Sequence, residues 1–398
     1  MRIGIDARTL SDDFPGIGRY THNLLLAMQP QLGGDTLVIL YDPENTRTRY
    51  SLARLAVQPG VQTVPFSCEI RTLAQQFALP RLLRELGVDV FHAPYFLTAY
   101  LRLPCPLVLS LFDLIPLAYP PSMPSRRDRL GYWLAVQLAL SAARAILVPS
   151  EATRADLARF FRSAVKRARV VPGAAAMGFA PASEEAIARV RERYRLPHRY
   201  ILHVGTNKPH KNLQTLLEAY RNYHARTSPR ERATLVLAGR HSPRYLDVRA
   251  WADEWSLGDA VRTLGQVPES DLAALYSGAA CVVVPSCYEG FGLPVVEAMA
   301  CGAPVLCSSA GSLAEVAGDG ALVLAPYDVV AWSEAMALVA HDQGVQAFWR
   351  ERGLRRATQF SWAAAAKATL EVYHSVSQSA FHLPAGPALP PDALATSV

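Results

Sequence analysis

The chain has 398 residues, 51% hydrophobic and 19% charged, with a formal net charge of +6. That length leaves room for about two or three domains with ample cores, and the composition excludes a largely disordered chain. The basic excess, 40 Lys and Arg against 34 Asp and Glu, is too small to argue for a nucleic-acid partner.

Met1-Arg-Ile-Gly-Ile-Asp-Ala-Arg8 reads as a first strand and not as a secretory leader, because it lacks an apolar core and a cleavage site. No run reaches the ~18 apolar residues of a membrane span. Residues 133–143 come nearest and are interrupted by Gln137 and Ser141. Six cysteines show no paired metal-ligand spacing and are expected to be reduced thiols. Cytoplasm is the expected compartment.

Strand-like and helix-like stretches alternate along the chain, which predicts an α/β fold with parallel sheets. In the first half the strands are Ile3-Gly-Ile-Asp-Ala7, Leu37-Val-Ile-Leu-Tyr41, Val88-Asp-Val-Phe-His92, Leu107-Val-Leu-Ser-Leu111 and Ala145-Ile-Leu-Val-Pro149. Helical patterns cover 20–28 and 126–143, while 47–78 is polar and poorly periodic. Between 122 and 171 ten basic residues stand against three acidic ones, which fits a solvated face or a surface for anionic lipid. A Gly-, Ala- and Pro-rich stretch at 172–183 predicts a domain boundary. The pattern restarts at Tyr200-Ile-Leu-His-Val-Gly205 and continues through strands at 233–239, 261–265, 281–285, 304–307 and 321–324. Helices are expected at 213–226, 242–255, 269–277 and 329–340. Two doubly wound domains, 1–175 and 176–360, would face one another across a cleft. Residues 361–380 read as a terminal helix, and 381–398, rich in Pro and Ala, as a disordered tail.

Glu289-Gly-Phe-Gly-Leu-Pro-Val-Val-Glu297 is the most specific stretch. It follows the strand-like Ala280-Cys-Val-Val-Val-Pro285. Gly290 and Gly292 allow close backbone approach, and Pro294 fits a first helical position. A short helix, 295–301, would then end at Gly302. Such a turn aims a helix N-terminus at one point, which suits a phosphate, with the two carboxylates placed to hold sugar hydroxyls. The string continues as Ala-Met-Ala-Cys-Gly-Ala-Pro-Val, and together with the two carboxylates, the glycines and the proline it resembles the motif of retaining glycosyltransferases of family 4. That family has the GT-B fold of two Rossmann-like domains.

The resemblance implies roles for particular residues. Glu297 would bind the ribose hydroxyls and Glu289 the donor sugar, helped by the backbone of Gly290, Phe291, Gly292 and Leu293. In Gly205-Thr206-Asn-Lys-Pro-His210-Lys211-Asn212, Lys211 would meet the diphosphate as charge builds on it. His210 stands where the family usually has arginine, so it, Lys208 or Arg240 would have to supply the rest of the clamp. Gly265 and Gln266 would touch the nucleotide base. Gly16 and Gly18 would lie near the donor phosphate and the acceptor. Asp113 matches a family position, whereas Phe112 replaces a frequent histidine beside the donor hexose. His92 and Ser150-Glu151 match segments at the cleft. The terminal helix would cross back onto the first domain.

Glu289 and Glu297 do not read as the opposed carboxylates of a hydrolase. The family transfers with retention, without a cofactor or metal, and the chain has no Asp-x-Asp motif. The expected reaction moves a hexose from a nucleotide sugar to a glycan or lipid-linked acceptor. Gly-Ile-Gly-Arg-Tyr and Phe-Asp-Leu-Ile-Pro favour mannosyl- or rhamnosyltransferases of surface polysaccharide, with GDP-mannose as donor and the inner face of an anionic membrane as a peripheral contact. The alternatives are a non-catalytic nucleotide-sugar-binding subunit and an epimerase of the same fold.

Overall fold

The computed structural model describes residues 1–45, 48–57 and 59–380. Two wholly parallel sheets organise the chain. The first contains β1 (Arg2–Asp6), β2 (Thr36–Tyr41), β3 (Val61–Pro65), β4 (Val90–Ala93), β5 (Leu107–Ser110), β6 (Ala143–Val148) and β7 (Ala168–Val170), in the order β3-β2-β1-β4-β5-β6-β7. The second contains β8 (Tyr200–Val204), β9 (Thr234–Ala238), β10 (Val261–Gly265), β11 (Cys281–Val284), β12 (Val305–Ser308) and β13 (Leu322–Leu324), in the order β10-β9-β8-β11-β12-β13.

Helices cover both faces of each sheet, so the inner strands read as continuous apolar runs. Ile3, Val38, Ile39, Leu202, Val236 and Val283 are all fully buried. At ~25 cal/mol per Å2 of apolar surface, burying each such side chain contributes about 1.5–3 kcal/mol.

The strand orders reverse between β1 and β4 and between β8 and β11. Loops leaving these strands diverge to opposite faces and leave a crevice at their carboxyl ends. The 205–212 loop follows β8 and the 285–292 loop follows β11, so both motif loops flank the crevice of the second sheet. The first sheet contributes the segments after β1, β5 and β6.

Trp362–Ala380 forms the last described helix. Ala366, Leu370 and Tyr373 lie in one apolar cluster with Ile3, Leu24, Leu25 and Met28, so this helix packs on the first sheet. Its Tyr373 hydroxyl bonds His92 Nδ1 at 2.6 Å, and His92 Nε2 meets Ser110 Oγ at 2.8 Å. His92 is therefore a core residue that pins this helix, not a cleft residue. The tail expected at 381–398 lies outside the described residues.

Several elements differ from expectation. The polar stretch after residue 47 contains β3 and a helix, Gln75–Glu85. β3 is an edge strand with mixed burial, so it needs no apolar run. The first long helix begins at Pro15, placing Gly16 and Gly18 in its first turn. The helix expected over 242–255 spans Val248–Glu254 instead. Asp247 caps it by accepting from the amides of Arg249 and Ala250, while Asn207 Nδ2 donates to Ser242 O and Leu246 O and holds the preceding segment as a loop.

Candidate functional site

The turn after β11 is held in a narrow conformation. Gly292 is the N-cap of the helix Leu293–Ala300, at φ +96°, which a side chain rarely adopts. Leu293 thus takes the first helical position and Pro294 the second. Cys301 ends the helix, and Gly302 follows at φ +70°. At Gly290 the backbone approaches the other half of the molecule closely. A Cβ there would lie 1.9 Å from the Phe112 carbonyl oxygen and 2.9 Å from Asp113 Cβ. From the first half, Ser150 Oγ and Thr153 Oγ1 donate to Gly290 O at 2.6 and 3.0 Å. Glu315 accepts from the amides of Glu151 and Ala152, tying the N-terminus of the helix Glu151–Phe160 to the second half.

Glu289 is 8% exposed and receives Lys211 Nζ at 2.6 Å and Ser286 Oγ at 2.7 Å. Burial opposes its charge, but Lys211, His210 and these hydrogen bonds prevail and hold its pKa below the ordinary value. Lys211 is positioned by its loop: Asn212 adopts the left-handed conformation at φ +55°, and its Nδ2 donates to Pro285 O and Pro326 O. The two motif loops are thereby cross-braced.

His210 is buried, and burial first, then Lys211, push its pKa down to about 4. It is neutral at physiological pH, so it does not supply the charge that the resemblance puts at this position. Its Nδ1 has no partner. Arg240 faces Asp13 at 3.4 Å, and Lys208 is exposed.

Glu297 is fully buried and lies in the second turn of its helix, not the first. Arg19 Nη1 bonds its Oε1, and Tyr276 OH bonds its Oε2 at 3.2 Å. Arg19 also faces Glu269 at 3.5 Å. Burial works against the Arg19 charge, but Glu297 and Glu269 raise its pKa above the ordinary value. Arg19 comes from the helix Pro15–Met28, so this ion pair joins the two halves. Arg19 directly follows Gly18 in the sequence motif; that adjacency was its one signal, and nothing in the sequence pairs it with a residue 278 positions away.

Asp113 is half-buried and accepts from the Ile115 amide at 3.0 Å. Burial and the neighbouring Glu289 charge raise its pKa, opposed by that amide, Lys208 and Lys211. Phe112 packs edge-on against Tyr20, with ring centroids 4.7 Å apart. An aromatic residue suits that contact. Gly265 stands at φ +65° at the end of β10, and Gln266 Nε2 donates to Asp12 Oδ2 at 3.2 Å. Thr206 is half-buried in the loop after β8. Gly18 packs under Tyr50, where a Cβ would come within 2.8 Å of the ring, whereas Gly16 has open space around it. Glu289, Lys211, Glu297, Asp113 and the 290–293 turn are thus brought to one cleft. Among the described residues no cluster of His, Cys, Asp and Glu could hold a metal ion.

The chain is 35% identical over 305 residues to the O-antigen chain mannosyltransferase B of Escherichia coli, covering 73% of this chain and 75% of that protein. The profile described as Glycosyltransferase Family 4 matches residues 15–175, and that of Glycosyl transferases group 1 matches 186–356. The chain belongs to glycosyltransferase family 4. Another family relative is the serotype-specific mannosyltransferase WbdA of E. coli, 34% identical over 52% of this chain but only 25% of that longer protein. Among solved structures, sucrose-phosphate synthase from Thermosynechococcus elongatus superposes with a TM-score of 0.75 at 22% identity, covering 95% of this chain and all of that one. The glycosyltransferase WaaG gives 0.71 at 14% identity, covering 94% and 99%. These likenesses establish the GT-B fold.

Proposed function

We propose that this glycosyltransferase moves mannose, with retention, from GDP-mannose to a glycan or lipid-linked acceptor. The observation that carries the reading is the pairing of Lys211 with Glu289 beside the N-terminus of the helix Leu293–Ala300, at the switch point of the second sheet. In this reading the Lys211 cation and the helix dipole stabilise the departing diphosphate, and the Glu289 carboxylate binds the sugar hydroxyls. The two mannosyltransferase relatives support mannose. A structure of the Anabaena protein Alr3699/HepE holds UDP-glucose, which supports a nucleotide-sugar donor in the same fold.

In this mechanism Lys211 turns from Glu289 to the diphosphate and stabilises the departing charge. Glu297 exchanges Arg19 for ribose hydroxyls. Gly265 and Gln266 border the base, Thr206 lines the phosphate loop, and Asp113 orients the acceptor hydroxyl. The protein supplies no nucleophile on the opposite face; it works by orientation and by electrostatics in a closed, water-poor cleft, with no metal required. Residues 1–175 would present the reacting acceptor hydroxyl at Asp113, and residues 176–360 would hold the donor.

A peripheral membrane contact is a further part of this reading, and the helix Arg126–Ala142 supports it. Leu130, Leu134 and Leu138, four residues apart, are 59%, 48% and 47% exposed, and the exposed Arg126 and Arg127 begin the same helix. No helix among the described residues is long and apolar enough to cross a membrane. Co-sedimentation with vesicles containing anionic lipid, lost in a Leu130, Leu134 and Leu138 to Ser variant, tests this contact. Equal binding by the variant overturns it.

Thermal shift against GDP-, UDP-, ADP- and dTDP-sugars, without metal, tests the donor site. A ligand at about a hundred times its Kd adds roughly 2.7 kcal/mol. A shift with GDP-mannose supports the reading; a shift with another nucleotide alone corrects the donor. Nucleotide binding without turnover would favour the binding-subunit alternative, which the uncharged His210 motivates.

A further inference from the structure

A cavity of about 590 Å3 is bordered by the 205–212 loop that carries Lys211. Four aromatic rings line it: Tyr119 from the first half and Tyr245, Trp251 and Tyr327 from the second. Tyr119 and Tyr327 face the same cavity from different halves, so its rim bridges the two halves. Asn207 and Thr215 are committed to the wall, Asn207 to Ser242 O and Leu246 O, and Thr215 to Asn212 Oδ1. Gln214 and Glu218, one turn apart on the helix Leu213–Arg226, bond one another at 3.1 Å at the exposed rim and leave further donor and acceptor capacity.

Rings beside amide and carboxylate side chains match the two sides of a sugar. Its C–H face lies on an aromatic face, and its hydroxyls bond the polar groups. The volume falls in the range of small-molecule sites and holds more than one hexose. The cavity is also connected to the chemistry. Lys208 lines it and acts electrostatically on Asp113. Tyr119 lies six residues beyond Asp113, at the end of the short helix Ile115–Ala118. An acceptor whose terminal hydroxyl sits at Asp113 can therefore run along this segment into the cavity.

We propose that this cavity is a glycan subsite that holds acceptor sugars upstream of the reacting hydroxyl. It rests on the transferase reading above. The subsite makes the enzyme prefer an oligosaccharide over a single sugar, as a chain-extending transferase requires.

The test compares methyl α-mannoside with α-mannotetraose as acceptors, GDP-mannose being the donor, in wild type and in Tyr245→Ala and Glu218→Gln. Tyr245 is half-buried on a loop, and Glu218 is half-buried at the rim, so neither change opens the core. The expected result is a KM for mannotetraose raised about fivefold in Tyr245→Ala, with kcat, the KM for methyl α-mannoside and the KM for donor unchanged. An equal change for both acceptors, or none for either, overturns the subsite. Saturation-transfer NMR with mannotetraose reads binding without turnover. Contact with the wild type that is lost in Tyr245→Ala, in a protein that transfers nothing, sinks the transferase reading and keeps the cavity as a glycan site. No contact with the wild type, or identical contact in the variant, removes the subsite whatever the activity.

Discussion

The two walls of the cleft are built on different principles. On the second-sheet wall the groups around Glu289 are fixed by neighbours from the same half, while the other carboxylate of the motif, Glu297, takes a partner, Arg19, from the other half. Lys211, Ser286 and Glu289 bond one another, and Asn212 braces both loops. On the first-sheet wall the polar groups are held by what they meet across the gap. Arg19 rests on Glu297, Ser150 and Thr153 on Gly290, and the amides of Glu151 and Ala152 on Glu315. A wall that carries its own partners keeps its shape when the cleft opens; a wall that borrows them changes with closure. The second-sheet wall around Glu289 is thus preorganised, and the first-sheet wall is completed by contact across the cleft.

The sharpest break of this comparison is Lys211→Met. It removes the cation from the self-supporting wall and leaves Glu289 buried beside Ser286 alone. Turnover should fall about 10^2- to 10^3-fold, by analogy with loss of an oxyanion-type donor. Nucleotide-sugar hydrolysis and transfer assays read it, and activity within tenfold of wild type would place the diphosphate elsewhere.

Arg19→Gln acts on the borrowing wall. It strands the buried Glu297 carboxylate, and breaking a buried pair costs about 3–5 kcal/mol. Calorimetry without ligand should show a large drop in Tm. Nucleoside diphosphate should restore part of it, because ribose hydroxyls satisfy the same carboxylate. No recovery with nucleotide would separate Glu297 from ribose binding.

Gly290→Ala sets a methyl group against the Phe112 carbonyl. Relief requires the halves to part, at a cost of about 1–3 kcal/mol. Small-angle scattering should show a more open molecule and assays a lower kcat, with donor affinity changed least because the second wall is intact. Unchanged scattering and kcat would mean that closure is not set at this contact.

Acid sensitivity tests the buried imidazoles of both walls together. Burial pushes the pKa of His203 and His210 down to about 4 and of His92 to about 3. Below their ordinary value of 6.5 the unfolded chain binds protons that the folded chain refuses. Stability is full above about pH 6.5 and declines as pH falls toward 4. Tm measured from pH 7 to 4.5 should fall steadily. A flat profile would contradict the burial of these imidazoles, two of which sit on the donor wall.

The same contrast explains what the sequence discloses. The donor wall is written in contiguous stretches, Glu289 to Glu297 and Gly205 to Asn212, where local turn chemistry and chemical role coincide. The parallel strands also show plainly, because burial on both faces leaves apolar runs such as Leu37-Val-Ile-Leu. β3 stays hidden because an edge strand keeps mixed polarity. Arg19, Thr153 and Glu315 stay hidden because their partners lie more than a hundred positions away. His92 misleads for the opposite reason: a strand-end histidine near the cleft motif is spent on Tyr373 and Ser110. Local motifs report local geometry, while contacts across the cleft require the fold.

The most direct measurement of the central claim is proton NMR of the product made from GDP-mannose and a mannoside acceptor, in buffer stripped of divalent ions. A new α-linked mannose, formed at a rate that added magnesium does not change, is the predicted result. A β-linked product, or transfer only when a divalent ion is supplied, would contradict a cleft that works through Lys211, the helix N-terminus and same-face attack.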